Sequence, residues 1–104
     1  MVTNVFGRKI LPGVVLCAMV PALYAAPPPG QLLASQCAQC HGTDGYGPGF
    51  DELAGKTDLY GELIDMKYRP VENIMDRQAR GYTDDQLSLI ADYFSSLPCN
   101  KECD

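Results

Sequence analysis

The sequence predicts a small all-α domain, and its last third carries the clearest evidence. The chain has 104 residues, enough for one small domain. Thr83-Asp84-Asp85-Gln86 has the pattern of a capping box, which marks the start of a helix, and Pro98 marks its end. Between them, apolar residues recur at helical period at Leu87, Ile90, Ala91, Phe94 and Leu97. This stripe predicts a helix that is buried on one face.

Two further helices are expected earlier in the chain. Residues 59–68 place Leu59, Leu63 and Met66 at the spacing of a core-facing helix. Residues 31–40 are expected to form a helix that leads into a pair of cysteines. The loop between these two helices is rich in glycine, which disfavours both helix and strand there.

Residues 1–25 have the pattern of a secretory signal peptide. A short basic region precedes an apolar stretch over residues 10–20, and small residues follow it up to Ala25. Cleavage is expected after Ala25, because a cut after Ala26 would leave Pro27 directly behind it. An uncleaved membrane anchor is the alternative, but a spanning helix needs about 20 apolar residues and this stretch is shorter and interrupted.

The sequence therefore divides into four parts: a signal peptide over 1–25, a proline-rich leader over 26–30, the folded domain over 31–98 and a cysteine-containing tail over 99–104. The net charge of the whole chain is −5, and removal of the signal peptide would take away two cations. Such an acidic protein is not expected to bind nucleic acid or to insert stably into a membrane, and it favours partners with basic patches. A domain this small is also expected to need a cofactor, metal or disulfide for stability.

The cysteines beyond the signal peptide form two local pairs, Cys37 with Cys40 and Cys99 with Cys103. The first pair is followed directly by His41, the only histidine in the chain. Cys-x-x-Cys-His is the signature of covalent haem attachment. On a helix the two cysteines lie about one turn apart, so both sulfurs can reach the vinyl groups on one edge of a porphyrin, and His41 can reach its iron.

Three other roles for the first cysteine pair stay open at this point. A thioredoxin-like redox pair would need a preceding strand, which the sequence does not indicate. A zinc cage of Cys37, Cys40, Cys99 and Cys103 would leave His41 without a role and is unfavourable in an oxidising compartment. A structural disulfide between Cys37 and Cys40 is the third. For the tail, a disulfide between Cys99 and Cys103 is expected, and a reactive or partner-bonded cysteine is the alternative.

Several segments resemble a known family over nearly the whole predicted domain. They are residues 32–42, Leu53-Ala54-Gly55, Arg69-Pro70 with Ile74-Met75-Asp76-Arg77, and Gly81-Tyr82-Thr83. In these the chain resembles the small class I cytochromes c, and particularly the cytochrome subunit of flavocytochrome c sulfide dehydrogenase. The resemblance implies three to four helices around one covalently bound haem c, and electron transfer in the periplasm rather than catalysis. It also implies redox partner proteins, such as a sulfide-oxidising flavoprotein subunit or a terminal oxidase.

The same resemblance implies a methionine as the second iron ligand, and Met66 and Met75 are the candidates. Met66 lies within a predicted helix, where a packing role is expected. Met75 follows Arg69-Pro70 and stands where the ligand methionine of the family stands. The predicted ligands are therefore His41 and Met75, a pair that raises the reduction potential relative to two nitrogen ligands. An open iron is the alternative, and it would indicate a ligand-binding or sensor protein.

The loop after His41 departs from the pattern of the family. Its relatives usually carry Pro-x-Leu-x-Gly, in which the proline carbonyl accepts the free N–H of the ligand histidine. Here Asp51-Glu52 precedes Leu53, and the nearest proline is Pro48. The expected acceptor is the Pro48 carbonyl, another backbone carbonyl nearby or an acidic side chain.

Overall fold

A computed structural model describes residues 25–47 and 49–100. The predicted signal peptide, apart from Ala25, lies outside the described residues, as do Pro48 and residues 101–104. The described chain contains helices and no strand: α1 (Gln31–Ala34), α2 (Ala38–His41), α3 (Leu59–Tyr68), α4 (Ile74–Ala79) and α5 (Asp84–Ser95). The all-α prediction is confirmed. Among these helices there is none with the length and apolar character needed to cross a membrane.

Helix α5 begins where its capping pattern predicted. The Thr83 hydroxyl accepts from the Gln86 N–H at 3.2 Å, and the Gln86 side chain accepts from the Thr83 N–H at 3.0 Å. This exchange satisfies two backbone donors that a helix start otherwise leaves without partners. The helix then buries Leu87, Ile90, Ala91 and Phe94.

The core lies around α5, against which α1 and α3 pack, while α4 packs on α3. Its buried residues are Ala34, Leu53, Leu59, Leu63, Leu87, Ile90, Ala91 and Phe94. Leu59 and Leu63 thus occupy the positions expected of them. Met66 is half-buried and lies outside this cluster, because the core face of α3 continues to Ile64 instead.

The helix expected over residues 31–40 is interrupted after one turn. The Ser35 N–H donates to the Leu32 carbonyl and the Cys37 N–H to the Ala34 carbonyl, so the chain tightens into i to i−3 bonding between α1 and α2. Regular bonding resumes where the His41 N–H donates to the Cys37 carbonyl at 2.9 Å. Cys37 and Cys40 consequently remain about one turn apart.

The start of α1 is held close to α5 by a glycine. Gly30 has φ +84°, and a Cβ atom placed there would lie 2.0 Å from the Leu89 carbonyl oxygen. A side chain at this position would therefore push α1 away from α5 as well as strain the backbone. This contact fixes the start of the segment that leads to the cysteine pair.

Candidate cofactor site

One cavity of about 290 Å³ brings together all four residues singled out from the sequence. Cys37, Cys40 and His41 reach it from α2 and the turn before it, and Met75 reaches it from α4. Met66 is not among the residues that line it. The fold thus joins two distant segments of the chain at a single cleft.

The two cysteines at this cavity are free thiols. Burial raises the pKa of the Cys37 thiol, outweighing a backbone hydrogen bond that lowers it, whereas Cys40 is exposed. Cys99, by contrast, is disulfide-bonded. A Cys37–Cys40 disulfide is therefore absent, and Cys99 is not available to a four-cysteine zinc cage.

The imidazole of His41 is buried and oriented by a backbone carbonyl. The Nδ1 atom lies 2.9 Å from the Asp51 carbonyl oxygen, which can only accept a hydrogen bond. In the neutral ring Nδ1 must therefore carry the hydrogen, which leaves the lone pair of Nε2 available to a metal. The acceptor is thus a backbone carbonyl near His41, one of the alternatives that the sequence left open, and it comes from Asp51 rather than from a carboxylate.

Close backbone packing holds the loop after His41 against α2. The Gly47 N–H donates to the His41 carbonyl, and a Cβ atom at Gly47 would lie 2.3 Å from the Cys40 carbonyl oxygen. Further along, the Gly55 N–H donates to the Phe94 carbonyl at 2.8 Å and ties the loop to α5. The loop can follow this path only because position 47 has no side chain.

The chain segment after α5 also contacts this loop. The Tyr46 hydroxyl donates to the Pro98 carbonyl, and the Asn100 N–H donates to the Glu52 carboxylate at 2.9 Å. Cys99 lies between these two contacts. The residues around this cysteine therefore support the loop that carries the hydrogen-bond acceptor of His41.

The backbone around Met75 is fixed by a second capping box. The Asn73 side chain accepts from the N–H groups of Met75 at 2.8 Å and Asp76 at 3.2 Å, and Asp76 accepts in return from the Asn73 N–H. Met75 is half-buried, and its side chain packs against the hydrophobic core. Its position in the first turn of α4 is thus set by the residues on either side of it.

Asp76 is also paired with Arg69 at the end of α3. The Arg69 guanidinium donates to one carboxylate oxygen from Nε at 2.8 Å and from Nη2 at 2.7 Å. Burial alone would raise the pKa of Asp76, but hydrogen bonds from the N–H groups of Glu72 and Asn73 and from Arg69 outweigh it, so the pKa is lowered. This pair was not predicted from the sequence, although Asn73 and Asp76 have the spacing of a capping box.

The cavity fits a flat, largely apolar cofactor. Phe50 and Ile74 line it, yet 55% and 64% of their surfaces are exposed, so a planar ligand would cover both. The Phe50 ring lies 5.7 Å from that of His41. Two thiols can add to the vinyl groups of a porphyrin, and an imidazole nitrogen and a thioether sulfur can ligate its iron. The fold and the cavity define a class, that of small helical proteins which enclose a planar metal cofactor.

Comparisons with known proteins place the chain within this class. No protein-family model matches it. Over 72 residues, 65% of this chain, it is 42% identical to the cytochrome subunit of sulfide dehydrogenase from Chlorobaculum tepidum. The match covers 66% of that protein, just under two thirds of its length. Over 75 residues, 64% of this chain, it is 35% identical to cytochrome c-554(548) from Halomonas halodenitrificans, of which 90% is covered.

The chain therefore belongs to the c-type cytochromes. Its cofactor is covalently bound haem c, and it is an electron-transport protein. This agrees with the prediction made from Cys-x-x-Cys-His and the family resemblance.

Proposed function

We propose that this chain is a periplasmic electron carrier with one haem, attached through Cys37 and Cys40 and ligated by His41 and Met75. The observation that carries the proposal is the cavity that all four residues line, in which the Asp51 carbonyl leaves Nε2 of His41 free to bind iron. The chain contains one histidine, which supports a single haem of this kind.

The two iron ligands would have distinct roles. Bound haem supplies an iron that takes up and releases one electron. His41 would ligate it through Nε2 while the Asp51 carbonyl holds the ring in place. A carbonyl makes the imidazole less electron-rich than a carboxylate would, so the chain favours the ferrous state more strongly than with an acidic partner. Met75 would fill the remaining position and keep water and small ligands from it.

We propose that the chain is exported and that its parts have the following roles. Residues 1–25 would be removed as a signal peptide, residues 26–30 would remain as a leader, and residues 99–104 would form a tail closed by a Cys99–Cys103 disulfide. The disulfide at Cys99 supports this assignment, since such bonds persist in oxidising compartments.

A second candidate function is that of the haem subunit in a sulfide-oxidising flavoprotein complex. The similarity to the cytochrome subunit of sulfide dehydrogenase favours it. A complex subunit should co-purify with a flavin-containing chain and elute with it on size exclusion. A free carrier should elute as a monomer and exchange electrons with several partners.

The test is to express the full chain together with a cytochrome c maturation system and to record the mass and visible spectrum of the exported protein. We expect a mass increased by one haem, a methionine–iron charge-transfer band in the ferric state and little reaction of the ferrous state with carbon monoxide. Cys37→Ala and Cys40→Ala should each lose one thioether bond.

The iron ligand is tested by a matched pair of methionine variants. Met75→Ala should lose the charge-transfer band and bind carbon monoxide readily. Met66→Ala should do neither, because Met66 does not line the cavity. An exported wild type with the mass of the bare polypeptide would contradict the haem assignment. A Met75→Ala variant that keeps the band would contradict the ligand assignment alone.

A further inference from the structure

Asp76 is a fully buried carboxylate directly beside Met75 in the chain. Its side chain is 0% exposed, and only His41 shares the status of a buried polar residue among those described. A carboxylate is seldom buried completely unless it is paired and hydrogen-bonded, since removal from water disfavours its charge. The groups that bind the Asp76 carboxylate indicate why it is buried.

Each carboxylate oxygen of Asp76 binds a different part of the chain. One oxygen accepts two hydrogen bonds from the Arg69 guanidinium, at 2.8 and 2.7 Å. The other accepts from the N–H groups of Glu72 at 2.8 Å and Asn73 at 2.9 Å. The side chain thus joins the end of α3 to the first turn of α4 and closes the turn between them.

This closed turn determines where the backbone of Met75 lies. Asn73 is fixed through its own N–H to Asp76, and its side chain accepts from the Met75 N–H at 2.8 Å. Met75 is therefore held from both sides by groups that do not line the described cavity. Because Arg69 and Asp76 do not line the cavity, a structural effect of either residue on it is passed on through the α4 turn that carries Met75, not through contact with the cofactor.

We propose that Asp76 and Arg69 are positioning residues that keep the Met75 sulfur turned into the cavity. We name the pair the methionine latch. The inference rests on the proposed role of Met75 as an iron ligand. Without the latch, the turn over residues 70–76 would sample other conformations, and Met75 would leave the iron for part of the time.

The experiment uses the exported holoprotein and compares Asp76→Ala, Arg69→Gln and wild type. All three should carry the mass of attached haem, because neither residue lies near the attachment cysteines in the cavity. The two variants should show a weakened methionine–iron band and a lower midpoint potential. Carbon monoxide should bind the ferrous variants about ten-fold faster, since binding scales with the fraction of protein whose iron is open.

Asp84→Asn provides the matched control. Asp84 also pairs with a cation from α3, with Lys67 Nζ at 2.6 Å, but this pair links α3 to α5 and does not touch the turn that holds Met75. This control should keep the band, the potential and the rate of carbon monoxide binding at wild-type values.

The outcomes separate the latch from a general stabilising role. Latch variants with a lower melting temperature but an unchanged band, potential and carbon monoxide rate would overturn the proposal. If Asp76→Ala yields no holoprotein, Arg69→Gln decides, because Arg69 is partly exposed and its removal leaves the backbone bonds of Asp76 in place. A wild type without the band, or a Met75→Ala variant that keeps it, would contradict the ligand assignment instead.

Discussion

The two sides of the cavity are held by different kinds of contact. The histidine side consists of α2 and the described loop residues 42–47 and 49–55, and it is held together mainly by backbone groups. The Asp51 carbonyl orients His41, and Gly47 allows the loop to lie directly on α2. The methionine side consists of residues 69–79, and side chains hold it together through Asn73 and the methionine latch.

This difference predicts how each side responds to substitution. A side made of closely packed backbone is sensitive to added atoms, because a carbonyl group cannot move aside as a flexible side chain can. A side held by side-chain hydrogen bonds is sensitive to lost atoms, because each truncation leaves a buried group without its partner. The histidine side should therefore fail on insertion of volume and the methionine side on removal of polar groups.

The largest effect is expected where the two sides share support, at Phe94. This ring is 1% exposed and belongs to the buried core against which Met75 packs, and the Phe94 carbonyl accepts from the N–H of Gly55 in the loop. Phe94→Ala should lower the free energy of unfolding by about 3–5 kcal/mol and disturb both sides. Urea unfolding measures this, with Tyr60→Ala as the control, because Tyr60 is 44% exposed. A loss at Phe94 no larger than at Tyr60 would mean that the two sides have no common core.

Gly47→Ala should disturb the histidine side alone. The new Cβ atom would lie 2.3 Å from the Cys40 carbonyl oxygen and 2.5 Å from the His41 carbonyl carbon, so the loop must move. We expect a loss of about 1–3 kcal/mol in unfolding free energy and a shift in midpoint potential, with the methionine–iron band retained.

Gly61→Ala is the control for this substitution, since a Cβ atom there meets only the Asp58 side chain and alanine favours the α3 helix. It should leave the potential unchanged and stabilise the protein slightly. A Gly47→Ala variant with the same potential as wild type would show that the loop path does not set the orientation of His41.

The two capping boxes offer a smaller and more closely matched test of the methionine side. Asn73→Ala and Thr83→Ala each remove the side chain that caps a helix start, and each should lower the unfolding free energy by about 1 kcal/mol. Only Asn73 binds the Met75 N–H, so only Asn73→Ala should weaken the methionine–iron band. Equal weakening of the band in both variants would show that it reports general stability.

The features that could be predicted from the sequence are those encoded by a short, continuous stretch of residues. The start and buried face of α5 were predicted correctly, because a capping box and an apolar stripe are local signals. The cysteine–histidine run is equally local. The acceptor for His41 could not be identified, because every residue of the loop has a carbonyl and only the path of the chain selects Asp51.

Features that join separate segments were harder to predict. The Arg69–Asp76 pair spans a turn, and charge spacing alone does not distinguish it from the exposed bond between Arg69 and Asp65. The break between α1 and α2 was also missed, since the residues there do not include the glycine or proline that usually marks one.

The smallest effect is expected for the pH dependence of the Lys67–Asp84 pair, which belongs to neither side of the cavity. Hydrogen bonds from Lys67 and Tyr68 lower the pKa of Asp84, and the hydrogen bond to Asp84 raises the pKa of Lys67. The stabilisation from Asp84 is therefore complete above its unfolded-state pKa of about 3.9 and is lost as pH falls through the lower folded-state value. That from Lys67 is complete below about pH 10.4 and is lost only as pH rises through its folded-state pKa.

Wild type and Asp84→Asn should accordingly differ in unfolding free energy by a small, constant amount near neutral pH. The difference should shrink toward zero in acid as Asp84 becomes protonated in the folded wild type. Urea unfolding at several pH values checks this, and the methionine–iron band of the two proteins should coincide at every pH at which both are folded. A band that differs between them would mean that ion pairs outside the turn also control Met75, so the contrast between the two sides of the cavity would not be local.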